Sequence, residues 1–334
     1  MILVTGGTGL VGSHLLYHLT KLNGSKVRAI KRNDDIDSVL NLFKFYDSIN
    51  AEALFDKIEW VNANITDIHS LELAFNKVDL VYHCAALISF NPKENDLMKS
   101  VNVGGTRNII NIALEYNVKK ICYVSSIAAL GSSKDNSLTS ELDEWKKEEC
   151  TSNYSESKHL SELEAWRGFS EGLDLVIVNP SAIIGPSSRE SGTGLIFKTS
   201  LKGNRFYPLG SNSFVCVNDV VKVMIQLMAS NISGEQFIVT SENLSHKTLA
   251  NIVSEALGVD RPTIPITPFL SELAWRAEKI KSFITKSEPI VTKDILREAN
   301  ADVAYSNKKI IDVIGYKFRD VKQAVQNTAR FYTN

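Results

Sequence analysis

Two groups of residues in this 334-residue chain have the types and spacing for chemistry. The first is Thr5-Gly6-Gly7-Thr8-Gly9-Leu10-Val11-Gly12, in which Gly6, Gly9 and Gly12 recur every third position. It follows the apolar run Ile2-Leu3-Val4 and opens a segment of helical period. Glycines at such a place let backbone N–H groups approach a pyrophosphate, and the helix N-terminus adds partial positive charge. The third glycine permits close packing of helix on strand. A plain glycine-rich turn has the same composition; the strand before it and the helix after it supply the context a dinucleotide site requires.

The second group is Tyr154-Ser155-Glu156-Ser157-Lys158 together with Ser126. On a helix, a phenol at i and an ammonium at i+4 share one face. A free tyrosine titrates near pH ~10, too high to shuttle a proton well near neutrality. A neighbouring Lys⁺ and a nicotinamide charge favour the phenolate and lower that value. Taken singly, such a pair is more often a surface feature. Ser126 adds weight, because it follows the strand-like run Ile121-Cys122-Tyr123-Val124. Ligands of open α/β sheets bind at the carboxyl ends of strands, where a hydroxyl can hold a substrate oxygen. The plainer role for Ser126 is a turn cap.

The end of the second strand decides between cofactors. An acidic residue there holds a ribose 2′-OH, and a basic one accepts a 2′-phosphate. Here Val27-Arg28-Ala29-Ile30 runs into Lys31-Arg32, with Arg32 20 residues after Gly12. Its planar, bidentate fork suits phosphate. NADP is therefore expected, with NAD as the alternative if Arg32 is only a solvated charge and Asp34 is the ribose ligand.

These residues need elements to position them. Short apolar runs at 2–5, 27–30, 58–61, 79–83, 120–125, 174–178 and 236–239 read as strands buried on both faces. Helical patterns lie between them, among them 10–22, 94–117, 153–171 and 218–230. The alternation predicts an α/β fold, a Rossmann-type doubly wound parallel sheet. After residue 180 the rhythm changes: 181–214 is rich in Gly, Ser and Pro, and prolines at 262, 265 and 268 precede further helical stretches. Helices are expected near 246–257, 269–284, 288–298 and 319–333. The reading is a Rossmann domain of 1–180 plus 215–240 and a smaller, mostly helical substrate lobe of 181–214 plus 241–334.

Composition narrows the class. Lys plus Arg total 37 against 38 Asp plus Glu, which argues against a generally basic nucleic-acid binder or an acidic tail protein. Hydrophobic residues at 44% and charged residues at 22% suit a globular chain with a real core. Four scattered cysteines without a CxxC argue against a disulfide scaffold or zinc module, and His83-Cys84 lacks a second ligand pair, so no metal is expected. No basic leader precedes Ile2, and no run approaches the ~18 apolar residues of a membrane helix. A soluble, cytoplasmic protein is expected, acting on a small molecule, without nucleic acid or membrane, as monomer or homodimer.

The motifs together resemble the extended short-chain dehydrogenases/reductases of the NAD-dependent epimerase/dehydratase superfamily. The likeness runs from TGGTGLVG at 5–12 through DLVYHCAA at 79–86, VNVGGT at 101–106, YVSSIAALG at 123–131, YSESK at 154–158 and NPSAIIGP at 179–186 to the C-terminal IGYKFRDVKQAVQNTARFY. It is closer to the dihydroflavonol-reductase and hydroxysteroid-dehydrogenase branch. The resemblance implies that Tyr154 is the general acid/base, that Lys158 binds the nicotinamide ribose and lowers the tyrosine's pKa, and that Ser126 orients the carbonyl. It implies a relay role for Asn102, whose alternative is a structural amide. Ala85 and Ala86 would line the adenosine side, and Val124 would border the cofactor at the end of its strand. Pro180, Ser181 and Ile183 would pass near the carboxamide. Arg32 matches the arginine that reductases of this branch place beside the 2′-phosphate. Asn64 stands where the family usually has an adenine-binding Asp; its amide oxygen can accept the same bond. Ile65 would stack on the adenine. Asp219 would cap a helix flanking the sheet, and His159 reads as a surface residue.

The leading expectation is an NADP(H)-dependent reductase or dehydrogenase of a carbonyl or secondary alcohol, and the phenylalanines of the second lobe hint at an apolar substrate. One alternative is a nucleotide-sugar epimerase or dehydratase with tightly held NAD. Against it, Ile127 and Ala128 follow Ser126 where sugar dehydratases carry an acid, and NPSAIIGP replaces an arginine-bearing motif. The other alternative is a non-catalytic NADP-sensing protein, disfavoured by the intact Tyr-Lys pair.

Overall fold

The computed structural model describes residues 1–333 except 23, 25, 33–35, 134–136, 151, 188–191 and 286–291; at 149, 279, 280 and 283–285 it describes the backbone alone. Asp34 and the start of the expected helix 288–298 therefore lie outside the described residues. The described strands, in chain order, are β1 (Ile2–Thr5), β2 (Val27–Lys31), β3 (Ile58–Asn62), β4 (Leu80–His83), β5 (Lys120–Val124), β6 (Leu175–Pro180), β7 (Ala182–Ile184), β8 (Phe206–Pro208), β9 (Ser211–Cys216), β10 (Glu235–Val239), β11 (Glu242–Ser245) and β12 (Ile264–Ile266).

Seven of them form a parallel sheet in the order β10-β6-β5-β4-β1-β2-β3. These are the seven apolar runs of the sequence. Their Val and Ile content suits strands covered on both faces. Alternation sorts the side chains. Val4, Tyr82, Cys122, Val176 and Val178 join one core cluster, with Leu15, Val220 and Phe237. Leu3, Val81, Ile121, Tyr123 and Ile177 join the other, with Ile109 and Phe75. The period of two along each strand thus feeds both helical layers.

β1 pairs in register with β2 on one side (Ile2↔Val27) and with β4 on the other (Ile2↔Leu80). The chain therefore runs outward through β2 and β3, then returns to start again at β4. This reversal between β1 and β4 is the topological switch point, where the loops after two neighbouring strands diverge and leave a crevice.

Helices Leu10–Lys21 and Asn153–Ser170 follow the sequence pattern closely. Ser152 caps the latter, accepting from Ser155 N at 3.2 Å, which satisfies one of the free N–H groups of its first turn. The single helix expected over 94–117 is instead Asn95–Lys99, a π-helical turn Ser100–Gly104 and Gly105–Glu115. Gly105 lets this segment approach the sheet: a Cβ there would lie 2.5 Å from Ile65 Cδ1. Helices Asp37–Tyr46, Ala51–Phe55 and Ile68–Phe75 fill the crossovers that the sequence reading left blank.

Beyond β6, the Gly/Ser/Pro-rich stretch holds more structure than its composition suggests. β7 and β11 flank β9 in a three-stranded sheet, and β8 pairs with β12. A third core cluster unites Ile184, Phe197 and Phe214 with Leu249, Val253, Val321 and Val325, so segments far apart in sequence share one interior. Asp219 departs from its expected role. It makes no cap bond; it accepts from Tyr316 Oη at 3.0 Å and Arg319 N at 2.9 Å, tying the C-terminal segment to the sheet-flanking helix Val217–Met228. No described helix is long and apolar enough to cross a membrane.

Candidate active site

The glycine loop sits at the switch point. Gly6 has φ +67°, and a Cβ on it would lie 2.7 Å from the backbone nitrogen of Ala85. Only glycine gives both that conformation and that approach between the β1 and β4 ends. Gly9 N donates to Gly6 O at 2.8 Å, and Gly9 stands at the N-cap of helix Leu10–Lys21. A Cβ on Gly12 would fall 2.2 Å from Gly6 O, so the helix is held against the loop by the missing side chain. Thr8, Gly9, Leu10 and Ser13 face Ser38, Val39 and Phe331 across a crevice. Val11 is half-buried in the first turn behind them.

A buried polar chain braces this loop. Thr5 Oγ1 accepts from Ala85 N at 3.1 Å and pairs with His83 Nδ1 at 2.7 Å, while His83 Nε2 pairs with Thr106 Oγ1 at 3.0 Å. Burial pushes the His83 imidazole down to about 3, so it bridges as a neutral ring. His83 and Thr106 lie within DLVYHCAA and VNVGGT, where nothing in the local spacing marks this bridging part.

The remaining expected cofactor residues cluster at the same edge, with two differences. Arg32 is exposed, one residue past β2, and Ala86 is exposed just beyond Ala85. Val124 ends β5, Pro180 ends β6, and Ser181 follows with a buried Oγ that has no partner. Ile183 lies on β7, half-buried. Asn64 is exposed, but its Oδ1 already accepts from Thr66 N at 3.2 Å in a local turn. Ile65 is turned into the core against Gly105, not left open for a ring to stack on it.

The expected catalytic residues lie beyond β5. Ser126 caps the short turn Ile127–Ala129, accepting from Ala128 N at 3.1 Å, and its hydroxyl is close enough to the Tyr154 phenol to favour the phenolate. The turn-cap reading of this serine is therefore what the structure has. Tyr154 occupies the first turn of helix Asn153–Ser170, with the Phe90 ring 6.1 Å away. Burial raises its phenol to about 12, Ser126 opposes the rise, and the Glu298 carboxylate adds to it. The expected lowering by Lys158 is not what this structure has. The ammonium is drawn down onto the sheet, donating to Val124 O at 2.9 Å and Tyr123 Oη at 3.1 Å, with the Tyr123 ring centroid 4.8 Å away. Burial brings Lys158 down to about 8, opposed by Glu162.

Asn102 lies in the π-helical turn. It accepts from Leu87 N at 2.7 Å and donates to Leu87 O at 2.9 Å and Ser157 Oγ at 3.0 Å. Its amide therefore pins the loop after β4 to the Tyr-Lys helix and makes no bond to Lys158. His159 is half-buried and stacked on Trp145 at 4.0 Å and 6°. Phe90, Glu298 and Tyr305 come from the loop after β4 and from the C-terminal part of the chain, where no motif marked them; Glu298 acts electrostatically on both Tyr154 and Tyr305.

A pyrophosphate-bearing dinucleotide fits these residues. The loop is a cradle that side chains would fill, it opens a helix N-terminus, and the unpartnered Ser181 hydroxyl waits at the other end.

Comparison with known proteins agrees. Residues 2–240 match the model of the NAD dependent epimerase/dehydratase family. A Synechocystis protein named "Putative dihydroflavonol 4-reductase" is 30% identical over 99% of this chain and 94% of its own length. Cinnamoyl-CoA reductase 1 of Petunia hybrida is 25% identical, covering 99% and 91%. Among solved structures, gox2253 superposes with a TM-score of 0.81 at 27% identity over 100% of this chain and 98% of that one. The UDP-glucose 4-epimerase of Thermotoga maritima shares the fold at a TM-score of 0.77 and 20% identity, over 99% and 98%. The chain belongs to the NAD dependent epimerase/dehydratase family and is an NAD(P)-dependent oxidoreductase of the extended short-chain dehydrogenase/reductase type.

Proposed function

We propose that this protein is an NADP(H)-dependent reductase or dehydrogenase acting on a carbonyl or secondary alcohol. The observation that carries the reading is the meeting of Ser126, Tyr154 and Lys158 at the end of β5, across the switch point from the glycine loop. When bound, the nicotinamide supplies or accepts the hydride. The Ser126 hydroxyl holds the substrate oxygen. Tyr154 gives that oxygen its proton in reduction and takes it back in oxidation. A phenol raised to about 12 keeps its proton at neutral pH, which suits donation to a carbonyl being reduced. Lys158 would provide a fixed positive charge for the cofactor ribose. The loop Gly6–Gly12 receives the pyrophosphate, and Arg32 receives the 2′-phosphate of NADP. Segments 181–214 and 241–334 form the substrate lobe, with 1–180 and 215–240 as the dinucleotide domain. Ile127, a buried apolar residue directly after Ser126, leaves no acid there for a sugar dehydration.

The experiment is a panel of ketones, aldehydes and secondary alcohols with NADPH and NADH, followed by absorbance. Turnover is expected with NADPH preferred. In Arg32→Ala the NADPH Kd is expected to rise by about 10-fold or more, the worth of a charge-assisted bond, while NADH binding stays level. Equal NADPH affinity in both proteins overturns the choice of NADP; no turnover on any member with either cofactor overturns the oxidoreductase reading.

A further inference from the structure

One buried acid beside the reaction centre has no part in that account. Glu162 lies on the Tyr-Lys helix, four residues after Lys158 and eight after Tyr154, hence on the same face. It is 5% exposed. Its Oε2 accepts from Ser125 Oγ at 2.6 Å and from Asn179 Nδ2 at 2.8 Å. Asn179 Nδ2 also donates to the Ser126 carbonyl at 3.1 Å. Ser125 directly precedes Ser126, and Asn179 directly precedes Pro180, so one carboxyl oxygen joins the ends of β5 and β6 to the helix that carries Tyr154 and Lys158. Two donors on a single oxygen are the pattern of a carboxylate held in place.

A charge this deep is costly unless it is paired and hydrogen-bonded. Lys158, one turn away, is equally buried and needs an opposite charge. The groups facing it are His83 and Cys84 at the end of β4, Tyr123 on β5, and Glu162 on its own helix, with Tyr154 one turn back along that helix. His83 is neutral, Cys84 is pushed up to about 12 by burial, and the Tyr123 and Tyr154 phenols are raised as well. Among the described residues, that leaves Glu162 as the acid available to the ammonium; burial raises its own pKa, and the Ser125 and Asn179 hydrogen bonds and the Lys158 charge oppose that rise.

We propose that Glu162 is a positioning residue: its carboxylate keeps Lys158 an ammonium and, through Ser125 and Asn179, fixes Ser126 relative to the Tyr-Lys helix. The inference rests on Lys158 and Ser126 serving the reaction described above. Removing the charge while keeping the shape lets Lys158 lose its proton at lower pH.

The test titrates Lys158 directly in the full chain without cofactor. Protein carrying ¹³C-lysine is followed by NMR from about pH 6 to about pH 11, with the Lys158 signal assigned by its loss in Lys158→Arg. The wild-type midpoint is expected near 8. In Glu162→Gln it is expected to fall by about one unit or more, and in Glu162→Asp to stay closer to wild type. Should the glutamine variant not fold, Ser125→Ala, which strips one donor from the carboxylate, moves the midpoint the same way by less. Fluorescence titration with NADPH in the same buffers is expected to show Glu162→Gln losing affinity at a lower pH than wild type while matching it at the acid end. Superimposable Lys158 titrations in wild type and variant overturn the proposal. Failure of the wild type to bind NADPH at any pH overturns the functional reading instead, and the lysine titration still decides the pairing.

Discussion

Replacing Gly12 by alanine is the sharpest perturbation of the dinucleotide cradle. The new Cβ would lie 2.2 Å from the Gly6 carbonyl oxygen and 2.8 Å from its carbon, where ordinary contact begins at 3.4 Å. One side must move by roughly 1 Å, and overpacking of that kind costs ~1–3 kcal/mol. Gly6 has little room to give, because its left-handed backbone is already wedged against the Ala85 backbone. The shift therefore falls on helix Leu10–Lys21 and carries its N-terminal N–H groups off the pyrophosphate. Losing one charge-assisted hydrogen bond is worth ~1.5–3 kcal/mol, so NADPH Kd should rise by about 10- to 150-fold. Gly104→Ala is the matched control, since a Cβ there meets nothing within 4 Å. Fluorescence titration and thermal melts on the three proteins measure both effects. Binding by Gly12→Ala within about twofold of wild type would refute the argument, because a displacement of ~1 Å cannot leave such bonds intact.

Acid should destabilise the fold through its buried histidines. His14 and His83 both fall from 6.5 to about 3 through burial, so between those values the unfolded chain takes up protons that the folded one refuses. Their contribution is complete above pH 6.5 and lost as pH falls, at ~1.4 kcal/mol per unit each, or ~2 kcal/mol each by about pH 5. Urea midpoints should drop accordingly, and a flat profile over that range contradicts the assignment of both rings as neutral. Asp219→Asn removes the charge that faces Arg319 and weakens the acceptors for Tyr316 Oη and Arg319 N. It should cost ~1–3 kcal/mol in urea unfolding; wild-type stability would mean that this tie holds nothing.

The parallel sheet was legible because buried strands write themselves as compact Val/Ile runs, and all seven central strands begin and end within two residues of those runs. The glycine loop was legible because its spacing answers to backbone geometry. What escaped depends on contacts distant in sequence. Ile65 has the same local sequence whether it faces a ligand or the core, and Gly105 from another helix decides the matter. Asp219 sits in the first turn of its helix as a capping residue would, but Tyr316 and Arg319 arrive from nearly a hundred residues away to claim it. Spacing put Tyr154 and Lys158 on one face, yet could not say that Tyr123 and Val124 would draw the ammonium down to the sheet. The break in helix 94–117 follows from the Asn102 amide and Gly105 packing across to other elements, which no periodicity records.

The central claim is that Tyr154 moves the proton. Tyr154→Phe keeps the ring beside Phe90 and removes only the hydroxyl, which lies near Ser126. With a substrate from the carbonyl panel, kcat should fall by ~10²–10⁴-fold, the usual worth of a positioned acid/base, while NADPH Kd stays within about twofold of wild type. Wild-type kcat in the phenylalanine variant would contradict the account.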